Sequence, residues 1–401
     1  MPPPSSSDSP PTVVPEPRAV PRERLLTSAF LLCFAGTFVQ GMAFNLYLHL
    51  PGYLKDLGAD EVAIGFIWSL TAGAALLVRP WVGRAMDDWG RRPVILVGNV
   101  LNVATLSLYL TVSEIGPWVW LIRVVHGLAE SMLFAGFFTY AADVVPASRR
   151  TQGLALFSVS GMLPIALGPL LGDAILARAG YSELFAASVV LAVASLLVAL
   201  PLREAKPLVE PGDASRGFTA AAMQRNLLPL WFMGTVFATA IAGPFTFLKT
   251  YLAELDFGSM GLFFSAYSFA AIGVRVGLGW LPDRAGPKRV LLPSFVVLAV
   301  GLALIPTVSS DAGLAAAGVL CGLGHGMANP ILNGLVVTRA RPAELGAAMA
   351  LYTAVFDAGA LIGGPVLGGV ARGLGYPPMF AVSAALVVCG LLVFALWDRG
   401  R

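Results

Sequence analysis

Gly83-Arg84-Ala85-Met86-Asp87-Asp88-Trp89-Gly90-Arg91-Arg92 stands between two long apolar runs and is the densest charge cluster in the hydrophobic part of the chain. It returns once, as Gly279-Trp280-Leu281-Pro282-Asp283-Arg284-Ala285-Gly286-Pro287-Lys288-Arg289. The offset is 196 residues (279 minus 83), close to half of 401. The lead-in repeats at the same offset: Gly65, Ser69, Arg79 and Gly83 recur as Gly261, Ser265, Arg275 and Gly279. A charged loop that comes back at half-length, after the same kind of apolar run, predicts two structurally similar halves.

Composition places those halves in a membrane. The chain is 57% hydrophobic and 12% charged, against about 25% charged in a soluble domain. The net charge is only +3, which leaves no electrostatic footprint for nucleic acid. Cys33, Cys321 and Cys389 all lie in apolar runs, so no disulfide framework or metal-ligand spacing is implied. No phosphate-cradling G-x-x-x-x-G-K-S/T loop occurs, and neither a cofactor nor a metal is expected.

A membrane span needs about 20 mostly apolar residues. Twelve such runs are present, at 26–50, 60–82, 93–113, 117–142, 152–177, 182–202, 227–250, 258–279, 289–308, 313–338, 344–372 and 376–397. The expected fold is an all-α membrane protein with twelve transmembrane helices in two pseudo-symmetric six-helix halves. Residues 1–24 are Pro- and Ser-rich and read as a disordered tail. Residues 25–202 form the first bundle, 203–226 a linker and 227–401 the second bundle. The first run is too long for a signal-peptide core. With the N-terminus inside, 19 Lys and Arg fall on the inner side and four on the outer side, namely Lys55, Arg178, Lys249 and Arg372. That asymmetry predicts a multi-pass protein of the cell membrane, an inner membrane in a bacterium, with both termini cytoplasmic.

The charged loop also resembles a known signature. G-x-x-x-D-x-x-G-R-R after the second helix is similar to the loop motif of the major facilitator superfamily of transporters, and Gly83, Asp87, Gly90, Arg91 and Arg92 fit it. Asp88 departs, standing where the family has a cation. The second copy, with Gly279, Asp283, Arg284, Gly286, Lys288 and Arg289, fits without that departure. The resemblance spans roughly residues 25–397. It implies a cytoplasmic latch that closes in the outward-open state. Asp87 would stand at a neighbouring helix N-terminus, where the partial positive charge favours an anion. Arg91 and Arg92 would reach Asp143. The bland alternative is that the cluster only anchors topology.

Ionisable groups at membrane depth are expensive, so each is a candidate. Arg123, His126 and Glu130 on span 4 share one helical face by their i, i+3, i+7 spacing. Either Glu130 is a proton site held beside Arg123, or the two are a static pair. Arg123-x-x-x-Gly127 resembles the fourth-helix motif that the family links to proton coupling. Span 10 carries His325, Asn329 and Asn333 at i, i+4, i+8, and the resemblance turns spans 1, 4, 7 and 10 toward a central cavity. Gln40, Asn45 and Thr246 are further cavity candidates, with packing as the plain alternative. Asp357 on span 11 has no counterpart in the first half. It reads as a titrating group or as a structural partner of Arg79 or Arg275.

Span 5 holds Gly168-Pro169-Leu170-Leu171-Gly172-Asp173, and span 11 holds Gly364-Pro365-Val366-Leu367-Gly368-Gly369. Small residues at this spacing let helices pack closely. G-P-x-x-G-G also resembles a motif of proton-driven drug and metabolite exporters, complete here only in span 11. Taken together, these features predict a secondary transporter that exchanges protons for a small organic molecule across the bilayer, most simply as an exporter, and the resemblance implies a monomer. Uptake or facilitated diffusion of a sugar or other metabolite is the alternative within the class. A transport-inactive receptor or scaffold is the alternative outside it, and no clustered nucleophile or metal site suggests an enzyme.

Overall fold

The computed structural model describes residues 25–146, 149–204, 218–341 and 344–398. The tail over 1–24 and most of the linker lie outside the described residues. The twelve spans run Ser28–Asp56, Glu61–Trp89, Arg91–Thr111, Pro117–Val144, Gln152–Leu176, Tyr181–Ala199, Leu228–Leu252, Met260–Leu278, Pro287–Thr307, Asp311–Arg339, Leu345–Leu374 and Tyr376–Trp397. They are numbered 1 to 12 below.

Local chemistry sets several boundaries. Asp60, Ser259 and Ser310 begin spans 2, 8 and 10 by accepting the backbone N–H groups of Ala63 (2.7 Å), Leu262 (3.1 Å) and Gly313 (3.3 Å). The charged loops break the chain between spans 2 and 3 and between spans 8 and 9. In both, the break is a glycine with positive φ, Gly90 at 95° and Gly286 at 93°. A residue with a Cβ adopts that conformation only at a cost, so both copies need glycine there.

The halves meet along two seams, span 2 on span 11 and span 5 on span 8. These seams are one contact made twice. Ser69 donates its hydroxyl to Ala360 O at 3.1 Å, and Ser265, its repeat partner, donates to Ala166 O at 3.1 Å. Gly65 faces Gly364 so closely that a Cβ on either would strike the other's backbone. Gly261 meets Leu170 in the same way, with a Cβ 2.7 Å from its side chain.

The polar contacts between halves cluster at the end opposite the termini. Lys55 and Glu61 pair there, and Tyr376 donates to Glu61 at 3.2 Å. Arg372 lies 3.1 Å from Asp60. Asp173, at the end of span 5, accepts the Gly261 backbone N–H at 2.6 Å and contacts His49 Nε2 at 2.9 Å. Arg79 and Asp357 still join the halves near the middle of spans 2 and 11, but beyond them toward the termini the ion pairs among the described residues join residues of one half: Arg91–Asp143 at 2.9 Å, Arg339–Asp398 at 2.8 Å and Lys288–Asp398 at 2.7 Å. In that direction Gly83, Gly161 and Gly277 have no atom within 4 Å of where a Cβ would stand. The structure is sealed at one end and parted at the other.

The signature residues correspond to this parted state. Arg91 reaches Asp143, as its spacing predicts, but Arg92 bonds the carbonyls of Leu202 (2.5 Å) and Leu200 (3.0 Å) instead. Asp87 caps no neighbouring helix. Its side chain is 77% exposed, with Arg91 3.5 Å away. In the second copy Lys288 binds Asp398, Arg284 lies 4.8 Å over the Trp280 ring, and Asp283 and Arg289 are exposed. Gly279 packs back on its own helix at Arg275 O.

The glycine motifs divide by face. Gly168 lies against Asn45 and Gly172 against His49, which brings span 5 onto span 1. Gly364 and Gly368 face span 2, while Gly359 and Gly363 face span 7. Gly369 has nothing within 4 Å and takes no part in this packing. Pro169 and Pro365 sit inside their helices.

Candidate functional site

Polar side chains from spans 1, 3 and 4 converge inside the first half. Arg123 is 2% exposed and His126 fully buried. Arg123 does not pair with Glu130. Its Nε donates to Ile67 O at 3.1 Å, Nη2 to Trp68 O at 2.9 Å and Nη1 to the Tyr109 hydroxyl at 3.3 Å. The guanidinium also lies 5.1 Å over the Trp68 ring. Helical side chains lean toward the N-terminus of their own helix, so Arg123 points away from Glu130, which follows it. Gly127 lets span 2 come close, since a Cβ there would strike Thr71 O.

Glu130 is left to neutral partners. Gln40 Nε2 donates to its two carboxyl oxygens at 2.8 and 2.6 Å. His126 Nε2 is 3.7 Å from Oε1, too long for a hydrogen bond, and that nitrogen has no other partner in the structure. The opposite nitrogen, Nδ1, is 3.1 Å from the Tyr109 hydroxyl. The imidazole is boxed edge-on by Phe44, Tyr47 and Tyr109 at 5.9, 5.2 and 5.7 Å. The Glu130 side chain is 14% exposed, enough for access from the parted space.

The second half holds its own histidine cluster, built between spans 8 and 10 instead of spans 3 and 4. His325 Nδ1 contacts the Tyr267 hydroxyl, and its ring meets Phe237 edge-on at 4.9 Å. Asn329 Nδ2 lies 3.5 Å from His325 Nε2, and Asn333 donates to Asn329 Oδ1 at 2.6 Å. Four residues after the histidine, Glu130 in the first half is Asn329 in the second.

Two cavity candidates are satisfied or enclosed in place. Asn45 donates to Gly41 O of its own helix at 2.8 Å, and Thr246 is buried with its hydroxyl unbonded. Asp357 resolves to one of its two expected partners. Arg79 reaches its Oδ2 through Nε at 2.8 Å and also through Nη2, across the span 2–span 11 seam. Arg275 bonds elsewhere. The His49–Asp173–Gly261 link escapes a linear reading, because three separate helices build it. Its only mark in the sequence is Asp173 standing where the exporter motif has its last glycine.

The sequence profile of the Major Facilitator Superfamily matches residues 29–286 and again 230–401. The chain belongs to the major facilitator superfamily. Among superfamily relatives, the multidrug resistance protein MdtG of Serratia proteamaculans (strain 568) is 27% identical over 413 residues, covering 97% of each chain. The staphylopine export protein of Staphylococcus aureus (strain Mu50) is 23% identical over 373 residues, covering 90% of this chain and 91% of that one. The superfamily fold is shared with the nucleoside transporter NupG, at a TM-score of 0.76 and 15% identity over 92% of this chain and all of that one. It is shared too with the human organic anion transporter MFSD10, at 0.70 and 18% over 92% of this chain and 99% of that one. The protein is a multi-pass, twelve-helix membrane transporter of this superfamily.

Proposed function

We propose that the chain is a secondary transporter that works by alternating access and exports a small organic molecule in exchange for protons, with Glu130 as the proton-binding group. The observation that carries this is the neutral setting of Glu130. Gln40 holds its carboxylate and Arg123 is turned away. Protonating Glu130 therefore strands no cation. Protonating Asp357 would strand Arg79, and leaving one member of a buried pair uncompensated costs about 3–5 kcal/mol. Of the two intramembrane carboxylates, Glu130 is the easier to cycle. Its protonation removes charge from the space between the halves and biases their equilibrium.

Direction and sidedness rest on other supports. The Lys and Arg asymmetry supports cytoplasmic termini, and in that orientation the parted end faces inward and the sealed end outward. Two relatives carry names that state resistance or export. The signature loop is released at the parted end, in keeping with a latch that forms only when that end closes.

The test is intrinsic tryptophan fluorescence of the protein in lipid vesicles between pH 5 and 9. Trp118 lies on span 4 and Trp68 stacks on Arg123, so reporters sit beside the site. The expected result is a titration in the wild type that is lost in Glu130→Gln. An unchanged titration in that variant rules Glu130 out as the proton site.

A further inference from the structure

The two seams are copies, but their arginines are not treated alike. On one seam Arg79 of span 2 meets Asp357 of span 11. The repeat partner of Arg79 is Arg275 of span 8, and the residue that matches Asp357 at the same offset of 196 is Gly161 of span 5. No carboxylate comes from the protein side here. Arg275 Nε donates to Gly326 O at 2.8 Å, and Nη1 reaches Met162 Sδ at 2.7 Å. A thioether is a weak acceptor, and a guanidinium has five N–H donors in a planar fork. Among the described residues no Asp or Glu stands within ion-pair distance of it, and its nearest polar neighbours, Tyr267 and His325, bond each other.

Space lies in front of these groups: a Cβ on Gly161, which neighbours Met162 on the facing span 5, would meet nothing within 4 Å. A guanidinium at membrane depth needs a counter-charge or water, and the matching seam shows the counter-charge that this position is built to take.

We infer that Arg275 is a binding site for the carboxylate of the transported molecule, which makes the substrate class a small organic anion. The carboxylate binds the guanidinium fork where Asp357 binds Arg79, beside Gly161 and Met162. Docking the anion completes the second seam, so substrate stabilises contact between spans 5 and 8 as Asp357 stabilises contact between spans 2 and 11. This deepens the transporter reading and rests on it for the word "substrate"; the binding site itself does not depend on proton coupling.

The experiment is thermal unfolding of the purified full-length protein with three carboxylate probes, benzoate, 2-naphthoate and 4-phenylbutyrate, each beside its uncharged amide. A rise in Tm of about 2 °C or more is expected for at least one carboxylate and not for its amide. The rise should vanish in Arg275→Gln. It should vanish also in Met162→Glu, which supplies the missing carboxylate from within and raises Tm by itself. Glu130→Gln should keep the probe effect. If no carboxylate outperforms its amide, or if the effect survives in Arg275→Gln or in Met162→Glu, the inference is overturned. If the fluorescence titration fails while this result holds, proton coupling at Glu130 is lost and the anion site stands.

Discussion

Arg79 and Arg275 occupy equivalent positions in the two halves, yet one is paired across its seam by Asp357 and the other faces Met162 and open space. Glu130 and Asn329 each follow a histidine by four residues, one as a carboxylate and one as an amide, although the two histidines are 199 residues apart and do not stand at the repeat offset of 196. What the halves share is scaffold: Ser69 and Ser265 bridging the seams, and Gly90 and Gly286 turning the loops. Where they differ is charge. Repetition supplies the hinge geometry twice, and the departures from it mark where a proton or a ligand can enter.

The largest effect should come from breaking the paired seam. Asp357→Asn leaves Arg79 without its counter-charge at a half-buried site and should cost about 3 kcal/mol. Arg79→Met with Asp357→Leu should recover most of it, because an apolar pair leaves no charge exposed to the bilayer interior. Thermal unfolding of the single and double variants measures this. Asn329→Asp, which places a carboxylate four residues after His325, should leave stability nearer the wild type, since that side chain is only partly buried.

Overpacking ranks next. Gly364→Leu drives a side chain into Ser69 and the Gly65 backbone, and Gly261→Leu does the same against Leu170 on the other seam. Each should cost about 1–3 kcal/mol, and each should favour separation of the seam it touches. Cysteine accessibility at Leu361, against Gly73, reports the first of these.

A smaller effect sharpens the equivalence itself. Ser69→Ala and Ser265→Ala should each cost about 0.6 kcal/mol, the usual worth of one interhelical hydrogen bond in a membrane. Costs that differ by more than twofold would show that the seams are not interchangeable in energy, despite equal distances.

The smallest is an acid effect at the terminal ends of the bundles. Glu204 caps the backbone N–H groups of Arg91 and Arg92 after span 6 (2.7 and 3.1 Å), and Asp398 binds Arg339 and Lys288 after span 12. Burial opposes the ionised Asp398 carboxylate, but the bonds from Arg339 and Lys288 outweigh it and hold its pKa below the usual carboxylate range. The folded pKa lies below the unfolded one. The stabilisation is therefore complete above about pH 4 and is lost as pH falls through the folded value. Asp398→Asn should remove that acid-dependent part of the unfolding curve.

The sequence made the architecture readable and the partnerships only partly so. Twelve apolar runs, the loop at 83–92 and its copy carry the fold, because span length and turn chemistry are local properties. Asp143 was legible as the partner of Arg91, since both stand at the same end of the neighbouring spans 3 and 4. That Arg123 turns away from Glu130 was not, because i, i+7 spacing puts two residues on one face without saying which way a long side chain leans. Nor was the choice of Arg79 over Arg275 by Asp357, which depends on which helices meet. The clue to Arg275 lay in the repeat: the position matching Asp357 is glycine.

The most direct test of proton-driven alternation is a pair of spin labels across the sealed end, at Asp56→Cys and Asp256→Cys, with the exposed Cys389 replaced by Ala. Their distance distribution should shift between pH 8 and pH 5 in the wild type. In Glu130→Gln it should stay fixed at the wild-type pH 5 profile. A distribution that still follows pH in Glu130→Gln, or one that does not move in the wild type, would contradict the account.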